Sequence, residues 1–209
     1  MQKRIAGILG GMGPEATVDF IAKVIEKTKA DADQDHIRML VDHNPKVPNR
    51  HAAINGEGED VGQHLAEMAS GLERAGADFL VMVCNTAHAF EADIQAAVSI
   101  PFVSIVDEVI VELKSQYPIN TRVGIMAAEG CLQSQLYQRA LSDAGFQFII
   151  WSEKDLAKFM TILYRIKAGD TGDQVRQDTA SLAEVLVQKG AEVLLAGCTE
   201  IPLVLNANS

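Results

Sequence analysis

The sequence is poor in cysteine and in long apolar runs, and each shortage excludes a class of protein. Its 209 residues include only three cysteines, an odd number that argues against a disulfide framework and favours a reducing cytoplasm. No CxxC pair or Cys/His spacing typical of a metal site occurs, so we expect no bound metal. No apolar run reaches the roughly 18 residues of a membrane span. The first residues have the pattern of a strand, so no signal peptide is expected.

Basic residues are also scarce relative to acidic ones. Lysine and arginine total 18 against 28 aspartates and glutamates, which gives a formal net charge of −10. Without a basic run, neither nucleic acid nor a membrane is an expected partner. On such a chain an anionic substrate would need specific local cations, so each Arg or Lys near a reactive side chain is informative. Hydrophobic residues make up 48% of the chain, as in a soluble globular protein.

One cysteine lies where a predicted strand ends and a predicted helix follows. The apolar run at 79–83 precedes Cys84, Asn85 and Thr86, and a helical pattern covers 89–98. Ligands of open α/β sheets bind at the carboxyl ends of strands. A helix N-terminus favours a thiolate, and the polar residues after Cys84 form a plausible cradle for a carboxylate.

The same arrangement recurs later in the chain. Residues 190–199 are similar in sequence to residues 76–86. In both segments Gly-Ala-acid opens a predicted strand, and a cysteine follows eight residues after the glycine. The second copy delivers Cys198. Gly7 and Gly124 lie in a further pair of similar strands upstream. We therefore expect two similar copies of one α/β unit, over residues 1–100 and 101–209.

The predicted elements alternate between strands and helices, which indicates parallel sheets. The fold class is α/β, with two similar domains, each a parallel sheet flanked by helices, related by pseudo-twofold symmetry with the active site between them. Predicted strands cover 3–9, 36–43, 79–83, 122–127, 146–151 and the residues before Cys198, and one predicted helix runs unbroken over 131–144. The proline-rich loop at 44–51 is predicted to contain neither helix nor central strand.

Further side chains near these strand ends carry alternative interpretations. Arg50, in the loop after the second strand, is suited to a bidentate grip on a carboxylate. Lys167 either contributes a second cation or complements a helix C-terminus. His88 and Glu200 either tune the two thiols as acid–base neighbours or are ordinary residues of a first helical turn. Cys131, at the start of a predicted helix, either faces the cleft or packs.

The glycine-rich turn after the first strand allows a rival function. Gly11-x-Gly13-x-x-Ala16 fits the dinucleotide fingerprint, although only Asp42 loosely supplies the acidic residue expected about 20 positions further on. This pattern favours a nucleotide-binding oxidoreductase. It leaves the paired cysteines unexplained.

Five motifs together resemble the aspartate/glutamate racemase family, and its aspartate racemase branch in particular. They occur in the expected order across nearly the whole chain, at residues 10–17, 44–50, 84–88, 166–169 and 197–200. The resemblance implies two similar α/β domains with the active site between them, chemistry without pyridoxal phosphate or any other cofactor, and a homodimer. It implies interconversion of L- and D-aspartate, with glutamate or a broader set of amino acids as further substrates.

The resemblance also implies a role for each matching residue. Cys84 and Cys198 would be the acid/base thiols, acting on the D- and L-enantiomer respectively. The α-carboxylate would be held by Asn85, Thr86 and Thr199, the side-chain carboxylate by Arg50 and Lys167, and the backbone near Met12 would line the pocket.

Two features depart from the family pattern. Residues 127–131 are Ala-Ala-Glu-Gly-Cys where the family commonly has Ala-Thr-x-Gly-Thr, so Ala128 and Cys131 replace the two threonines. This replacement puts the substrate preference in doubt. The chain stops at Ser209, where relatives continue with a strand and a helix, so we expect either a short form or a missing tail. Maleate isomerase-like, hydantoin racemase-like and inactive ligand-binding relatives remain alternatives.

Overall fold

The computed structural model describes residues 4–205. It has an α/β fold with two parallel sheets flanked by helices, as the sequence predicts. Contacts within the chain divide it into two units, Met1–Ile105 and Val106–Ser209. The division into two domains over 1–100 and 101–209 stays a prediction. No helix among the described residues is long and apolar enough to cross a membrane.

Unit 1 is built on a parallel sheet of four strands in the order β2-β1-β3-β4. Its core lies between this sheet and α3, whose buried leucines face the strands. The elements in chain order are β1 (Ala6–Gly10), α1 (Pro14–Lys27), β2 (Met39–His43), α2 (Arg50–Ile54), α3 (Val61–Arg74), β3 (Phe79–Met82), α4 (Glu91–Ala97) and β4 (Phe102–Val103).

Unit 2 has a parallel sheet of three strands in the order β6-β5-β7. The order matches the first three strands of unit 1, since in both units the first strand of the unit lies between the other two. The elements are α5 (Ile105–Gln116), which begins at the division, β5 (Arg122–Ala127), α6 (Glu129–Gln133), α7 (Leu136–Asp143), β6 (Gln147–Ile149), α8 (Glu153–Lys167), α9 (Asp173–Gln188) and β7 (Val193–Gly197).

The Gly-Ala-acid motif makes the same hydrogen bonds in both units. In unit 1 the Asp78 carboxylate accepts from the Ile5 backbone N–H at 2.6 Å, and the Asp78 N–H donates to the Ile5 carbonyl at 2.8 Å. In unit 2 Glu192 repeats both bonds with Arg122, at 2.9 and 2.8 Å. The acidic residue therefore sets the register at the entry of β3 and of β7, the strands that lead to the two cysteines.

Helix and sheet approach each other closely at equivalent glycines. A Cβ atom on Gly7 would lie 3.3 Å from Cβ of Leu72 in α3 and 2.7 Å from Cδ2 of Leu80 in the adjacent strand. One on Gly124 would lie 3.1 Å from Cβ of Leu186 in α9 and 2.8 Å from Cδ2 of Leu194 in the adjacent strand. Only glycine fits at either position without a shift of its neighbours. The sequence echo between the two glycines thus reflects one packing solution used twice.

Four predicted elements differ from the structure. The second strand, predicted over 36–43, begins only at Met39, after a 3₁₀ turn over Asp33–Asp35. The 44–51 loop is not wholly irregular: both prolines precede Asn49, which caps α2 by accepting from the His51 N–H at 2.9 Å, so Arg50 opens a helix. The helix predicted over 131–144 is broken, because Gln135 adopts φ 54° between α6 and α7. The first strand, predicted over 3–9, runs from Ala6, and residue 3 lies outside the described residues.

Candidate active site

Cys84 lies just past the carboxyl end of β3 and is buried. The preceding residue, Val83, still donates its N–H to the Leu9 carbonyl of β1 at 2.9 Å, so the sheet ladder holds the chain up to the cysteine. Cys84 packs in the core of unit 1 together with Met12 and Val47. The Met12 side chain is therefore a core residue, whatever its backbone contributes to a pocket.

A 3₁₀ turn over Thr86–Phe90 separates Cys84 from α4. The α-helix predicted from residue 89 therefore begins at Glu91, with acidic side chains in its first turn. A short 3₁₀ turn carries fewer aligned peptide dipoles than an α-helix, so the expected helix N-terminus beside the thiol is absent. Asn85 and Thr86, the expected carboxylate cradle, are both buried beside the cysteine, and α2, which Arg50 opens, packs against this turn.

His88 ties the Cys84 motif to the chain segment that leaves unit 1. Its Nδ1 lies 2.8 Å from the Cys84 carbonyl oxygen, and its Nε2 accepts the Ile105 backbone N–H at 3.2 Å. A backbone N–H only donates, so Nε2 must be the unprotonated nitrogen and Nδ1–H donates to Cys84. The ring is buried and packs against Phe102, 5.5 Å between centroids. The imidazole therefore holds the backbone of Cys84, a role that neither interpretation from the sequence named.

Cys198 directly follows β7, at the same position in unit 2 as Cys84 in unit 1, and is also buried. Gly197 precedes it, where a Cβ atom would lie 3.1 Å from that of Ala127 and 3.2 Å from the Tyr137 ring. The strand end is therefore packed tightly against β5 and α7. Between the cysteine and residue 205, where the described part of the chain ends, the structure has a turn and a 3₁₀ helix over Ile201–Leu203.

Glu200 is the partner of three side chains at this strand end. Its Oε2 accepts from the Cys198 thiol at 3.0 Å and from the Thr199 hydroxyl at 3.3 Å. Its Oε1 is paired with the Lys167 ammonium, from the last residue of α8. Glu200 is only 3% exposed, so its charge is compensated by these donors and not by water.

The electrostatics around Cys198 contradict the thiolate that the sequence leads us to expect. Burial, the Glu200 carboxylate and its hydrogen bond raise the pKa of the Cys198 thiol well above the ordinary value. The Glu200 backbone N–H and the Lys167 ammonium lower it, by less. The expectation of a depressed pKa was wrong because no α-helix begins between the cysteine and residue 205, the last one described, and a carboxylate lies against the sulfur.

The two expected carboxylate-binding cations are in different states. Arg50 Nη1 donates to the carbonyls of Val47 at 3.1 Å and Pro48 at 2.9 Å, which fixes the guanidinium on its own loop. Among residues 4–205 its Nε and Nη2 donate to no protein atom. Lys167 instead faces Glu200. The Arg50 guanidinium therefore keeps unused donors, whereas the Lys167 ammonium is already paired with a carboxylate.

The glycine-rich turn is closed by its own side chains. The Gly11 N–H donates to Thr17 Oγ1 at 2.8 Å, and that hydroxyl donates to the Gly13 carbonyl at 3.1 Å. Gly11 has φ 91°, and a Cβ there would lie 2.5 Å from the Asn44 backbone. A pyrophosphate needs free N–H groups and close backbone approach at this turn. The contacts therefore disfavour the dinucleotide interpretation.

Tyr137 is a buried polar residue near this site that sequence patterns did not indicate. Its pKa is raised by burial and by the nearby Cys131 and Cys198 thiols. Cys131 is buried in α6, only 1% exposed. Tyr137 reaches this place because the left-handed Gln135 turns α7 back over α6, and nothing in the sequence marks a left-handed glutamine. No cluster of metal-ligating side chains occurs within residues 4–205.

Comparison with known proteins gives consistent matches. The family model for Asp/Glu/Hydantoin racemase matches residues 9–209. The broad specificity amino-acid racemase RacX of Bacillus subtilis is 30% identical over 207 residues, covering 96% of this chain and 87% of the relative. The aspartate racemase of Picrophilus torridus superposes with a TM-score of 0.88 at 29% identity, covering 98% of this chain and 85% of the other. An aspartate racemase homologue from Pyrococcus horikoshii, at 24% identity, shares the fold with a TM-score of 0.74, covering 99% and 90% of the two chains.

Proposed function

Because this chain belongs to the Asp/Glu/hydantoin racemase family of isomerases, we propose that it interconverts L- and D-aspartate by a two-base mechanism. One of Cys84 and Cys198 acts as a thiolate that removes the α-proton, and the other acts as a thiol that delivers a proton. The two states exchange with each turnover.

The chemistry of inversion explains why two groups are needed. A proton must leave one face of the α-carbon and another must arrive at the opposite face, which a single base serves poorly. The α-proton is weakly acidic, so the carbanion requires hydrogen-bond donors fixed around the α-carboxylate. Polar residues that follow each cysteine, Asn85, Thr86 and Thr199, fit this role. No step of this reaction needs a Schiff-base cofactor.

The observation that carries the proposal is the equivalence of the two thiols. Both cysteines follow the strand that pairs with the central strand of their unit, and both strands enter through the same acid-to-backbone hydrogen bonds. A buried cysteine is usually inert packing. Two at equivalent strand ends, each followed by hydroxyl-bearing residues, are better explained by a pair of acid/base groups.

Aspartate is supported as substrate by the cations. The unused donors of Arg50 suit a bidentate carboxylate, and Lys167 adds a second positive charge. In this role both bind the side-chain carboxylate, while the backbone around Met12 lines the pocket. We extend the proposal to a homodimer, as the family resemblance implies, and to the cytoplasm, which the odd number of cysteines favours.

A broader substrate range is the second candidate function. It is favoured by the ion pair between Lys167 and Glu200, which satisfies that cation within the protein itself. Because Glu200 already neutralises Lys167, a substrate with a neutral side chain would leave no unpaired positive charge at this position. The relative in Bacillus subtilis is described as a broad specificity amino-acid racemase.

The test is proton exchange in D2O without added cofactor. The purified protein is incubated with L-aspartate, L-glutamate or L-alanine, and loss of the α-proton signal is followed by NMR with chiral chromatography alongside. Loss of the signal with appearance of the D-enantiomer is expected for aspartate, and also for alanine if the range is broad. Exchange without inversion would contradict the two-base mechanism. No exchange by the folded protein would favour the maleate isomerase-like, hydantoin racemase-like or ligand-binding alternatives.

A further inference from the structure

We propose that Glu200 is a positioning residue that holds Cys198 as a protonated thiol in the free protein, so that Cys198 begins the cycle as the proton donor. The catalytic meaning of this inference rests on the proposed racemase function, but the hydrogen bond that carries it does not. The carboxylate acts through Cys198 and is not itself a base for the substrate.

The geometry assigns the two carboxylate oxygens to different partners. Oε1 faces the Lys167 ammonium, and Oε2 accepts from Cys198 and Thr199. An ionised carboxylate only accepts hydrogen bonds, so the 3.0 Å contact to sulfur is satisfied only when the sulfur carries a proton. A thiolate there would place two like charges in contact at a buried position.

The other groups around the sulfur do not reverse this preference. Lys167 and the Glu200 backbone N–H favour the thiolate, but burial and the Glu200 carboxylate outweigh them. Tyr137, on α7, interacts with Cys198 and with Cys131 of α6, and it is held neutral because its pKa is raised. The cation that lowers the pKa of Cys198, Lys167, is shared with Glu200.

A two-base cycle needs one thiol and one thiolate, so a Cys198 held as the thiol assigns proton removal in the first turnover to Cys84. The enantiomer whose α-proton faces Cys84 is then the one that the resting form accepts. A distal carboxylate that binds Lys167 would compete with Glu200 for the ammonium, which links substrate side-chain recognition to the state of the thiol.

The experiment is the pH dependence of alkylation of each cysteine by iodoacetamide, measured by peptide mass spectrometry on the full chain without substrate. Only the thiolate reacts. In the unaltered protein, half-maximal reactivity of Cys198 is expected above the free-cysteine value of about 8.5. A midpoint at or below that value would overturn the proposal, whatever any variant does.

Glu200→Gln keeps the shape of the side chain and removes its charge. Alkylation of Cys198 near neutral pH is expected to rise by about tenfold, the change that one unit of pKa produces below the midpoint. Glu200→Asp keeps a carboxylate and is expected to retain the slow rate. Glu192→Gln, at the other end of β7 and exposed, is the matched control and is expected to leave the rate unchanged.

Cys131 serves as the internal reference for unfolding because it is buried in the same unit. Rates for Cys198 are therefore divided by those for Cys131. An unchanged ratio in Glu200→Gln would contradict the proposal, and a rise confined to Cys198 would support it. Since no substrate is present, this result is independent of the D2O exchange assay, so failure of the racemase proposal and failure of this inference are distinguishable.

Discussion

The imidazole of His88 holds the carbonyl of Cys84 at 2.8 Å while its other nitrogen accepts the Ile105 backbone N–H at 3.2 Å. One side chain thus fixes both the turn that presents the thiol and the segment after β4. The hydrogen bond to the Cys84 carbonyl is buried and the one from the Ile105 N–H is partly buried, so loss of the imidazole leaves both backbone groups without this partner in a poorly hydrated place.

His88→Phe keeps an aromatic ring against Phe102 and removes both hydrogen bonds. We expect the free energy of unfolding to fall by about 2–4 kcal/mol, since each unsatisfied buried group costs roughly 1–3 kcal/mol. Urea denaturation measures this loss. The matched control is His64→Phe, a partly exposed position on α3, which is expected to change stability little. Equal losses in both variants would contradict the structural role of His88.

Replacing either cysteine by alanine is expected to abolish inversion and leave the fold intact. Removing one acid/base group typically costs about 10²–10⁴-fold in rate, and here the remaining thiol serves only one face of the α-carbon. Chiral chromatography measures inversion, and circular dichroism checks the fold. Cys131→Ala, which deletes the third buried thiol, is the control and is expected to keep most of the activity. Undiminished turnover in Cys84→Ala or Cys198→Ala would refute the two-thiol mechanism.

Arg50→Leu is expected to raise KM for aspartate about 10–100-fold, the equivalent of losing a charge-assisted hydrogen bond of roughly 1.5–3 kcal/mol. The carbonyls of Val47 and Pro48 also lose their donor, so Arg50→Lys, which keeps a positive charge, is needed for comparison. Arg50→Lys is expected to recover only part of the affinity, because lysine lacks the bidentate fork. Steady-state kinetics with aspartate and alanine provide the measurement. An equal change of KM for both substrates would place the side-chain carboxylate elsewhere.

Gly7→Ala and Gly124→Ala test whether the two units use one packing solution. Each new methyl would lie under 3.0 Å from a leucine Cδ2, so each is expected to destabilise by about 1–3 kcal/mol. Gly71→Ala, in α3 with open space around it, is the control and is expected to stabilise by about 0.5–1 kcal/mol. Thermal unfolding measures all three. A neutral result at one of the first two positions would mean that the units pack differently there.

Much of the fold could be predicted from the sequence, because the two halves of the chain repeat the residues that determine strand geometry. The Gly-Ala-acid motif encodes the hydrogen bonds of Asp78 and Glu192, and the echo of Gly7 with Gly124 encodes equal helix-to-sheet spacing. Alternation of apolar runs with helical patterns was enough to predict parallel sheets. The family resemblance carried by five short motifs is confirmed by a family match that spans nearly the whole chain.

The details around the thiols were decided by the tertiary structure. The backbone at Gln135 takes a left-handed conformation that no residue type demands, and this brings Tyr137 near Cys131 and Cys198. Lys167 and Glu200 are 33 residues apart and meet only because α8 ends beside the turn after β7. The sequence determined which residues lie at each strand end, since the local pattern of apolar residues and its repetition in both halves predict where each strand ends. Folding alone decided that Cys198 is a buried thiol with the Glu200 carboxylate turned back onto its sulfur, because the pKa of a buried group depends on its burial and on the geometry of its neighbours, even of one two residues away.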